Sequence, residues 1–291
     1  MPAAPKIALS PSAWGVSEIP GWGFQPAANQ VLGEIAMLGV KAIEAGAPGF
    51  LPDHSREARR LLKRHRLSVA AGPVRAILHH HDIRGAELAH IDGHAAWLSA
   101  LGAETLVLVA IATRDAEQHR TALSSTGWAH LLHSIGSVEH VCSRYHLRVA
   151  VQSEFGSTIQ GPDEIERLLV GSEAGLCIDT GQLMLGGADP LEVLELAAGR
   201  IRYVRLSDVD LSTADLVAGQ NMSYAEAVRD NLFKALGTGD AKIERIVERV
   251  KQSDYKGWYA IEEPKYAESN QPNPDIKQSL DFVLSLLASD K

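Results

Sequence analysis

Charged side chains that could act as acids, bases or metal ligands follow short apolar runs in this sequence. In the segment 174–187, the apolar run 175–178 stops at Asp179. A run this short, bounded by glycines, is typical of a buried parallel strand. Because a carboxylate cannot stay in a core unpaired, Asp179 is predicted to face a polar cavity, where it would bind a metal or move protons. The alternative is a structural Asp that starts a loop or caps a turn.

The same arrangement, a charged residue at the end of a predicted strand, recurs along the chain. The residues are Glu44, Arg75, Glu154, Asp179, Arg205 or Asp208, and Glu262. Four carboxylates at one mouth repel each other unless protons, a divalent cation or basic side chains neutralise them. Oxygen ligands suit Mg²⁺ or Mn²⁺, and the basic candidates are Arg75, Arg205 and Lys265. Taken singly, each of these residues could instead lie on a solvated loop.

Eight predicted strands, each followed by an amphipathic helical pattern, would position these residues. The strands are 6–10, 40–45, 67–74, 105–110, 147–151, 175–178, 201–206 and 258–261. Such alternation predicts a parallel sheet, and eight units predict an α/β fold with one (β/α)₈ TIM-barrel domain over 1–291. No glycine-rich phosphate motif follows the first strand, which disfavours an open doubly wound sheet. A long polar insertion is predicted after the seventh strand, up to about residue 239.

The amino-acid composition and net charge of the chain disfavour some classes of function. The apolar fraction of 45% supports a large core, and the net charge of −8 argues against non-specific binding to nucleic acid or anionic membranes. Cys142 and Cys177 lie among apolar residues and are predicted to be core cysteines. No run of 18 apolar residues and no signal pattern occurs, so a cytoplasmic location is expected. The oligomeric state stays open, a homo-oligomer included.

Six segments resemble the xylose isomerase-like TIM-barrel superfamily of sugar isomerases and epimerases. They are SAWGVSEIPGWGFQ (12–25), GVKAIEAGAPGFLP (39–52), CIDTGQL (177–183), RYVRLSDV (202–209), MSYAEAV (222–228) and YKGWYAIEE (255–263). Within the superfamily, the chain is most similar to the inosose dehydratases and isomerases of inositol breakdown. The resemblance implies a small polyol or keto-sugar substrate. It also implies abstraction of a proton next to a ketone, through an enediolate, ending in isomerisation, epimerisation or dehydration.

The resemblance also implies a metal site and catalytic residues. Glu154, Asp179 and Glu262 match three ligand positions for Mn²⁺ or Mg²⁺, and Glu154 and Glu262 match catalytic positions. The fourth ligand, a strand-seven histidine, is Arg205 here, and a second familiar histidine is Gln182. An arginine does not ligate metals. Arg205 is predicted to enter the site and pair with Glu154 or Asp179; the alternative is that it turns outward and leaves the carboxylates and Gln182 to a metal.

Substrate-binding roles are predicted for a set of residues near the strand ends. They are Trp14, Glu44, Arg75, His79, Gln182, Arg205 and Lys265. Trp14 could instead serve loop packing, and His79 belongs to a histidine triplet that could be solvated. His90 and His94 have metal-ligand spacing on a helix but are expected on its exposed outer face.

Two functions other than this catalysis remain open. The loss of two histidines motivates a non-catalytic carbohydrate-binding or regulatory descendant of the enzyme. DNA repair of the endonuclease IV type uses the same barrel, but it would need many strand-end histidines and a basic face, and the sequence has neither.

Overall fold

Eight parallel strands close into a barrel in this computed structural model, which describes residues 5–19, 21–114, 122–269 and 273–288. The strands are β1 (Lys6–Leu9), β2 (Ala42–Glu44), β3 (Ser68–Ala76), β4 (Thr105–Ala110), β5 (Arg148–Gln152), β6 (Leu176–Asp179), β7 (Ile201–Leu206), β8 (Asp208–Val209), β9 (Phe233–Lys234) and β10 (Trp258–Ile261). All but β8 and β9 belong to the barrel, in the order β1–β10–β7–β6–β5–β4–β3–β2, and β2 pairs with β1 to close the ring. The predicted TIM barrel is confirmed.

Helices follow the barrel strands and cover the outside of the ring. They are α1 (Ala28–Met37), α2 (Ser55–His65), α3 (Arg84–Ala100), α4 (Ser125–Ser143), α5 (Pro162–Gly171), α6 (Thr180–Leu185), α7 (Pro190–Leu196), α8 (Leu211–Ala218), α9 (Tyr224–Arg229), α10 (Ile243–Gln252) and α11 (Ile276–Ala288), with a short 3₁₀ helix at Pro11–Trp14. Pro162 and Pro190 occupy first turns, where the missing N–H is not needed. No helix in the described residues is long and apolar enough to cross a membrane.

Side chains of each barrel strand alternate between two buried sets, because successive residues of a strand point to opposite faces. One set packs against the helices and includes Leu9, Ile43, Leu106, Leu108, Val149, Val151, Ile178, Val204, Leu206 and Ile261. The other set, here called the lumen floor, is Ala8, Ala42, Ala70, Ala71, Val107, Ala150, Cys177, Tyr203 and Ala260. Small side chains surround the fully buried ring of Tyr203 in this set. Cys142 and Cys177 are both free and buried, as expected.

Beyond the lumen floor, nearer to their carboxyl ends, the strands point side chains into the barrel again, two residues further on in most strands and four residues after Ala71 in β3. This upper layer consists of Ser10, Glu44, Arg75, Val109, Gln152, Asp179, Arg205 and Glu262. Strand register brings its members together, since Asp179 pairs with Arg205, and Val109 pairs with both Arg75 and Gln152. The barrel therefore places a charged layer directly above an apolar one.

The predicted polar insertion after β7 has regular structure. Strands β8 and β9 pair antiparallel, and α8 and α9 lie between them. The carboxylate of Asp208 accepts hydrogen bonds from the backbone N–H groups of Gly237 (2.9 Å), Gly239 (3.0 Å) and Ala241 (2.9 Å). Of the two strand-seven alternatives, Asp208 thus holds this insertion in place, and Arg205 belongs to the upper layer.

Candidate active site

A cavity of about 830 Å³ opens at the carboxyl ends of the barrel strands. The upper layer forms its base, and its walls come from the loops after β1, β2 and β4, from Tyr224 of α9 and from the segment after β10. All four carboxylates predicted to share one mouth line it: Glu44, Glu154, Asp179 and Glu262.

Arg205 lies at the base of the cavity and is held on two sides. Its Nε donates to Glu44 Oε1 and its Nη1 donates to Gln152 Oε1, both at 2.8 Å. The Arg205 and Glu44 side chains are only 7% and 1% exposed. Burial alone would lower the pKa of Arg205, but the surrounding carboxylates, Glu44 first, raise it well above its ordinary value. Arg205 is therefore a permanent buried cation.

The expectation that Arg205 enters the site agrees with this geometry, but the predicted partner was wrong. Arg205 pairs with Glu44, not with Glu154 or Asp179. Glu44 and Arg205 belong to the same layer of the lumen and meet across it. Glu154 lies two residues beyond that layer, after β5 has ended, and is bound to another arginine. Within the described residues no hydrogen bond uses Nη2 of Arg205, so this nitrogen remains for a ligand.

Asp179 has one oxygen fixed by the protein and one without a partner. Its Oδ1 accepts from Ser207 Oγ (2.7 Å) and from the backbone N–H of Gln182 (3.1 Å), which caps α6. Its Oδ2 is buried and makes no hydrogen bond. Burial raises the pKa of Asp179 to about 6, although the charge of Arg205 opposes the rise. Both interpretations of Asp179 therefore apply, because it caps a helix and also lines the cavity.

Glu262, at the end of β10, is the second carboxyl group with a spare oxygen. Its Oε2 is buried and unpartnered. Burial raises the pKa of Glu262 to about 8; Arg205 limits the rise and nearby Glu44 adds to it. At neutral pH Glu262 is therefore mostly a neutral acid, while Asp179 is mostly ionised. Two carboxyl groups whose pKa values lie on either side of neutrality form a typical acid and base pair.

A second ion-paired cluster lies nearer to the rim. Arg75 binds Glu154 through Nη1 and Glu18, in the loop after β1, through Nε at 3.0 Å. Gln152 Nε2 donates to the other oxygen of Glu154 at 3.1 Å. Each oxygen of Glu154 therefore already accepts a hydrogen bond, and Gln152 links this cluster to Arg205.

Hydrogen bonds connect the carboxyl ends of the neighbouring strands β6 and β7. They fix the positions of Asp179 and Arg205 relative to each other. Thr180 Oγ1 donates to the carbonyl of Ser207 (2.5 Å) and accepts from the Ser207 N–H (2.9 Å). Ser207 Oγ accepts from the N–H of Gly181 at 2.8 Å. A Cβ at Gly181 would lie 2.6 Å from Ser207 Oγ, so the contact requires glycine.

Two predicted substrate-binding residues line the cavity but already have protein partners. Lys265 donates to Asn273 Oδ1 (2.7 Å) and Asp275 Oδ2 (2.8 Å). Gln182 Oε1 accepts from the backbone N–H of Phe155 at 3.1 Å.

The structure places two other predicted binding residues away from the cavity. Trp14 is buried in the 3₁₀ helix, where its Nε1 donates to Glu34 Oε2 of α1 at 2.6 Å, so it serves packing. The ring of His79 packs 4.1 Å from that of His80 and is not part of the lining, and burial lowers its pKa. Their proximity to strand ends in the sequence was misleading because both side chains turn away from the mouth.

Several cavity residues escaped prediction. Ser10 and Gln152 follow from strand periodicity, since each lies two residues beyond a member of the lumen floor. Glu18 and Tyr224 come from a loop and from the insertion, and no local pattern indicates their place. His94 also departs from expectation: it is half-buried, stacks on Trp97 at 5.4 Å and, like the exposed His90, borders the cavity.

The donor set does not fit a divalent metal ion. Among the described residues, no group of three or more His, Cys, Asp or Glu side chains is arranged to hold one. Each oxygen of Glu154, a predicted ligand, already accepts a hydrogen bond, one of them from the cation of Arg75. The buried oxygens without a partner in the cavity are those of Asp179 and Glu262, beside the cation of Arg205. Catalytic zinc sites usually take three protein ligands, which this arrangement does not offer.

Comparison with known proteins places this geometry in a family. Inosose dehydratase from Geobacillus kaustophilus (strain HTA426) is 25% identical over 289 residues, covering 96% of this chain and 93% of that protein. The solved structure of "IOLI protein with a binding zinc atom" has a TM-score of 0.70 at 13% identity, over 97% of this chain and 98% of that one. D-allulose 3-epimerase from Methylomonas sp., solved in complex with D-allulose, has a TM-score of 0.70 at 14% identity, over 98% of each chain.

The solved structures share the fold at low identity, and one of them carries zinc while another carries a sugar. The sequence pattern described as Xylose isomerase-like TIM barrel matches residues 32–286, which include seven of the eight barrel strands and the strand ends around the cavity. With its closed eight-stranded ring and a carboxylate-rich mouth, this chain belongs to the xylose isomerase-like TIM barrel family.

Proposed function

We propose that this protein is a sugar isomerase, epimerase or dehydratase that acts on a keto-inositol or a related keto sugar. The observation that carries the proposal is the pair of buried carboxyl groups, Asp179 and Glu262, each with an unpartnered oxygen beside the cation of Arg205. The similarity to inosose dehydratase over nearly the whole chain supports this choice of substrate class.

The first step is proton abstraction next to the ketone. Asp179 Oδ2 takes the α-proton, the electrons of the C–H bond move onto the carbonyl oxygen, and an enediolate forms. The cation of Arg205, which interacts with both Asp179 and Glu262, would stabilise the developing negative charge. The base role that sequence reasoning assigned to Glu154 passes to Asp179, because Arg75 and Gln152 occupy both oxygens of Glu154.

The second step uses the proton of Glu262. Returned to carbon on the opposite side, this proton gives an epimer. Delivered to a β-hydroxyl as the C–O bond breaks, it releases water and completes a dehydration. Either way Glu262 ends as the carboxylate and Asp179 as the acid, so one proton exchange with solvent resets the pair. The catalytic role predicted for Glu262 is retained as that of general acid.

A neutral substrate suits the charges of the cavity. Every arginine and lysine in the lining already pairs with a carboxylate of the described chain: Arg75 with Glu18 and Glu154, Arg114 with Glu87, Arg205 with Glu44, and Lys265 with Asp275. A phosphate or carboxylate on the substrate would therefore find no cation without a protein counterion and would meet ionised Asp179. A polyol ring bearing one ketone brings no such charge.

The test is exchange of substrate α-hydrogen with solvent. Keto-inositols and ketoses incubated in D₂O are followed by NMR, and the native protein should catalyse incorporation of deuterium next to the ketone. Asp179→Asn should abolish the exchange. Glu104→Gln is the matched control, because Glu104 forms an exposed ion pair with Lys6 outside the cavity lining.

Absence of exchange across a broad panel of ketoses, together with clear sugar binding in calorimetry, would overturn the enzyme proposal. It would instead favour a carbohydrate-binding descendant of the family. The closed ion pair of Arg205 with Glu44, at a position where the family places a histidine, is the feature that keeps this alternative open.

A further inference from the structure

We propose that Arg205 replaces the divalent metal ion as the electrophile of this site and that the reaction proceeds without a metal. The inference rests on the proposed function and specifies which group stabilises the enediolate. Three features of the structure carry it: the position of the guanidinium, the state of the remaining oxygen donors, and the nitrogen that is left for substrate.

The guanidinium is built into the base of the cavity. Glu44 holds Nε and Gln152 holds Nη1, each at 2.8 Å, and Gln152 is itself held by its bond to Glu154. Since the side chain is 7% exposed, reorientation toward solvent would break both bonds and leave the carboxylate of Glu44 unpaired in the core. The alternative in which Arg205 turns outward and frees the carboxylates is therefore not the arrangement observed.

Few oxygen donors of the described residues remain for a metal ion. Asp179 keeps Oδ1 on Ser207 and on the backbone of Gln182, so it offers only Oδ2. The side-chain oxygen of Gln182, which stands where the family has a second histidine, accepts from Phe155. A divalent ion would have to compete with the fixed positive charge of Arg205 for two carboxyl oxygens.

Nη2 of Arg205 can take over the electrostatic role of a metal. A ketone oxygen bound to it would gain a charged hydrogen bond that strengthens as the enediolate forms, because charge-assisted bonds are about twice as strong as neutral ones. The guanidinium keeps its protons throughout, since its pKa is far above that of the enediol. Therefore only Asp179, Glu262 and the substrate gain or lose protons in the reaction, and no other reactant is needed.

The first experiment measures the native protein. Exchange of the α-hydrogen in D₂O is compared before and after exhaustive treatment with EDTA, and Mn²⁺ and Zn²⁺ are titrated calorimetrically into the EDTA-treated protein. We expect unchanged exchange and no stoichiometric binding of either metal. Exchange that EDTA abolishes and Mn²⁺ or Zn²⁺ restores would overturn the inference while leaving the proposed function intact. If exchange is absent with and without metal, the proposed function fails, and stoichiometric metal binding would then refute the inference separately.

The second experiment changes the residue itself. Arg205→His removes the cation and supplies an imidazole nitrogen, so Mn²⁺ should bind at least about tenfold more tightly than to the native protein, roughly 1.4 kcal/mol. Arg205→Gln removes the cation without a nitrogen ligand and should gain less. Circular dichroism establishes that both variants fold. Equal Mn²⁺ affinity in the native protein and in folded Arg205→His would contradict the placement of Arg205 at the metal position. If neither variant folds, the metal titration of the native protein decides whether the inference holds.

Discussion

The buried pair of Arg205 and Glu44 should dominate the response of the barrel to a single change of charge. Arg205→Met keeps most of the side-chain volume but leaves the carboxylate of Glu44, 1% exposed, without its cation. Breaking a buried pair in this way costs about 3–5 kcal/mol. In domains of 150–250 residues, each kcal/mol lowers the melting temperature by roughly 2–4 °C, so a loss on the order of 10 °C is expected for this somewhat longer chain.

Two further variants, measured by thermal denaturation, test whether the unpaired charge of Glu44 causes this loss of stability. In Arg205→Met/Glu44→Gln no unpaired charge remains, so most of the lost stability should return, because replacing a buried pair as a whole is often close to neutral. Lys6→Met is the control. It breaks an ion pair whose side chains are 42% and 36% exposed, and such pairs contribute about 0–1 kcal/mol.

A melting temperature that falls by no more than in Lys6→Met, or a double variant less stable than Arg205→Met, would refute the account of this pair.

Other predictions concern the acid and base pair and the join between β6 and β7. The pH profile of kcat/KM should be bell-shaped, rising near pH 6 as Asp179 ionises and falling near pH 8 as Glu262 loses its proton, and a profile flat from pH 5 to 9 would contradict this. The pKa of Glu262 is raised in the folded state, so protonation of Glu262 stabilises the fold below the ordinary carboxyl range, and this stabilisation is lost as the pH rises through about 8. Glu262→Gln cannot lose this proton. Measured by denaturant unfolding, the variant should therefore lose less stability between pH 6 and 9 than the native protein. Gly181→Ala places a methyl group 2.6 Å from Ser207 Oγ. We expect it to destabilise the protein by about 1–3 kcal/mol and to slow exchange of the substrate α-hydrogen. Gly85→Ala is the control, because its methyl group has no atom within 4 Å, and it should keep the native rate of exchange.

The strand ends and the barrel could be predicted from the sequence because both depend on local periodicity. Short apolar runs stop at Glu44, Asp179 and Glu262, and closure of the ring brings these ends to one mouth. The same periodicity could have indicated Ser10 and Gln152, which point inward two residues after a floor residue.

Pairing across the lumen could not be predicted in the same way. Arg205 meets Glu44 over a separation of 161 residues, and which carboxylate it meets depends on side-chain reach once the ring has closed. Glu18 reaches Arg75 from a loop whose path has no strand or helix pattern. Trp14 and His79 lie close to strand ends in the sequence, but the direction of their side chains depends on local turns.

The lumen floor has a consequence for how the site exchanges material with its surroundings. Tyr203 and the alanines around it close the barrel beneath the charged layer, and the floor residues are at most 3% exposed. In the part of the chain that the structure describes, sugar, product and the solvent protons that reset Asp179 and Glu262 therefore pass through the opening at the strand ends. A bound sugar therefore shields the pair from bulk water, and the proton that Asp179 takes can return to the same carbon before it exchanges. In D₂O the substrate should then be labelled more slowly than the epimer, which carries the deuteron of Glu262, and the ratio of the two rates reports how long each sugar keeps the entrance closed.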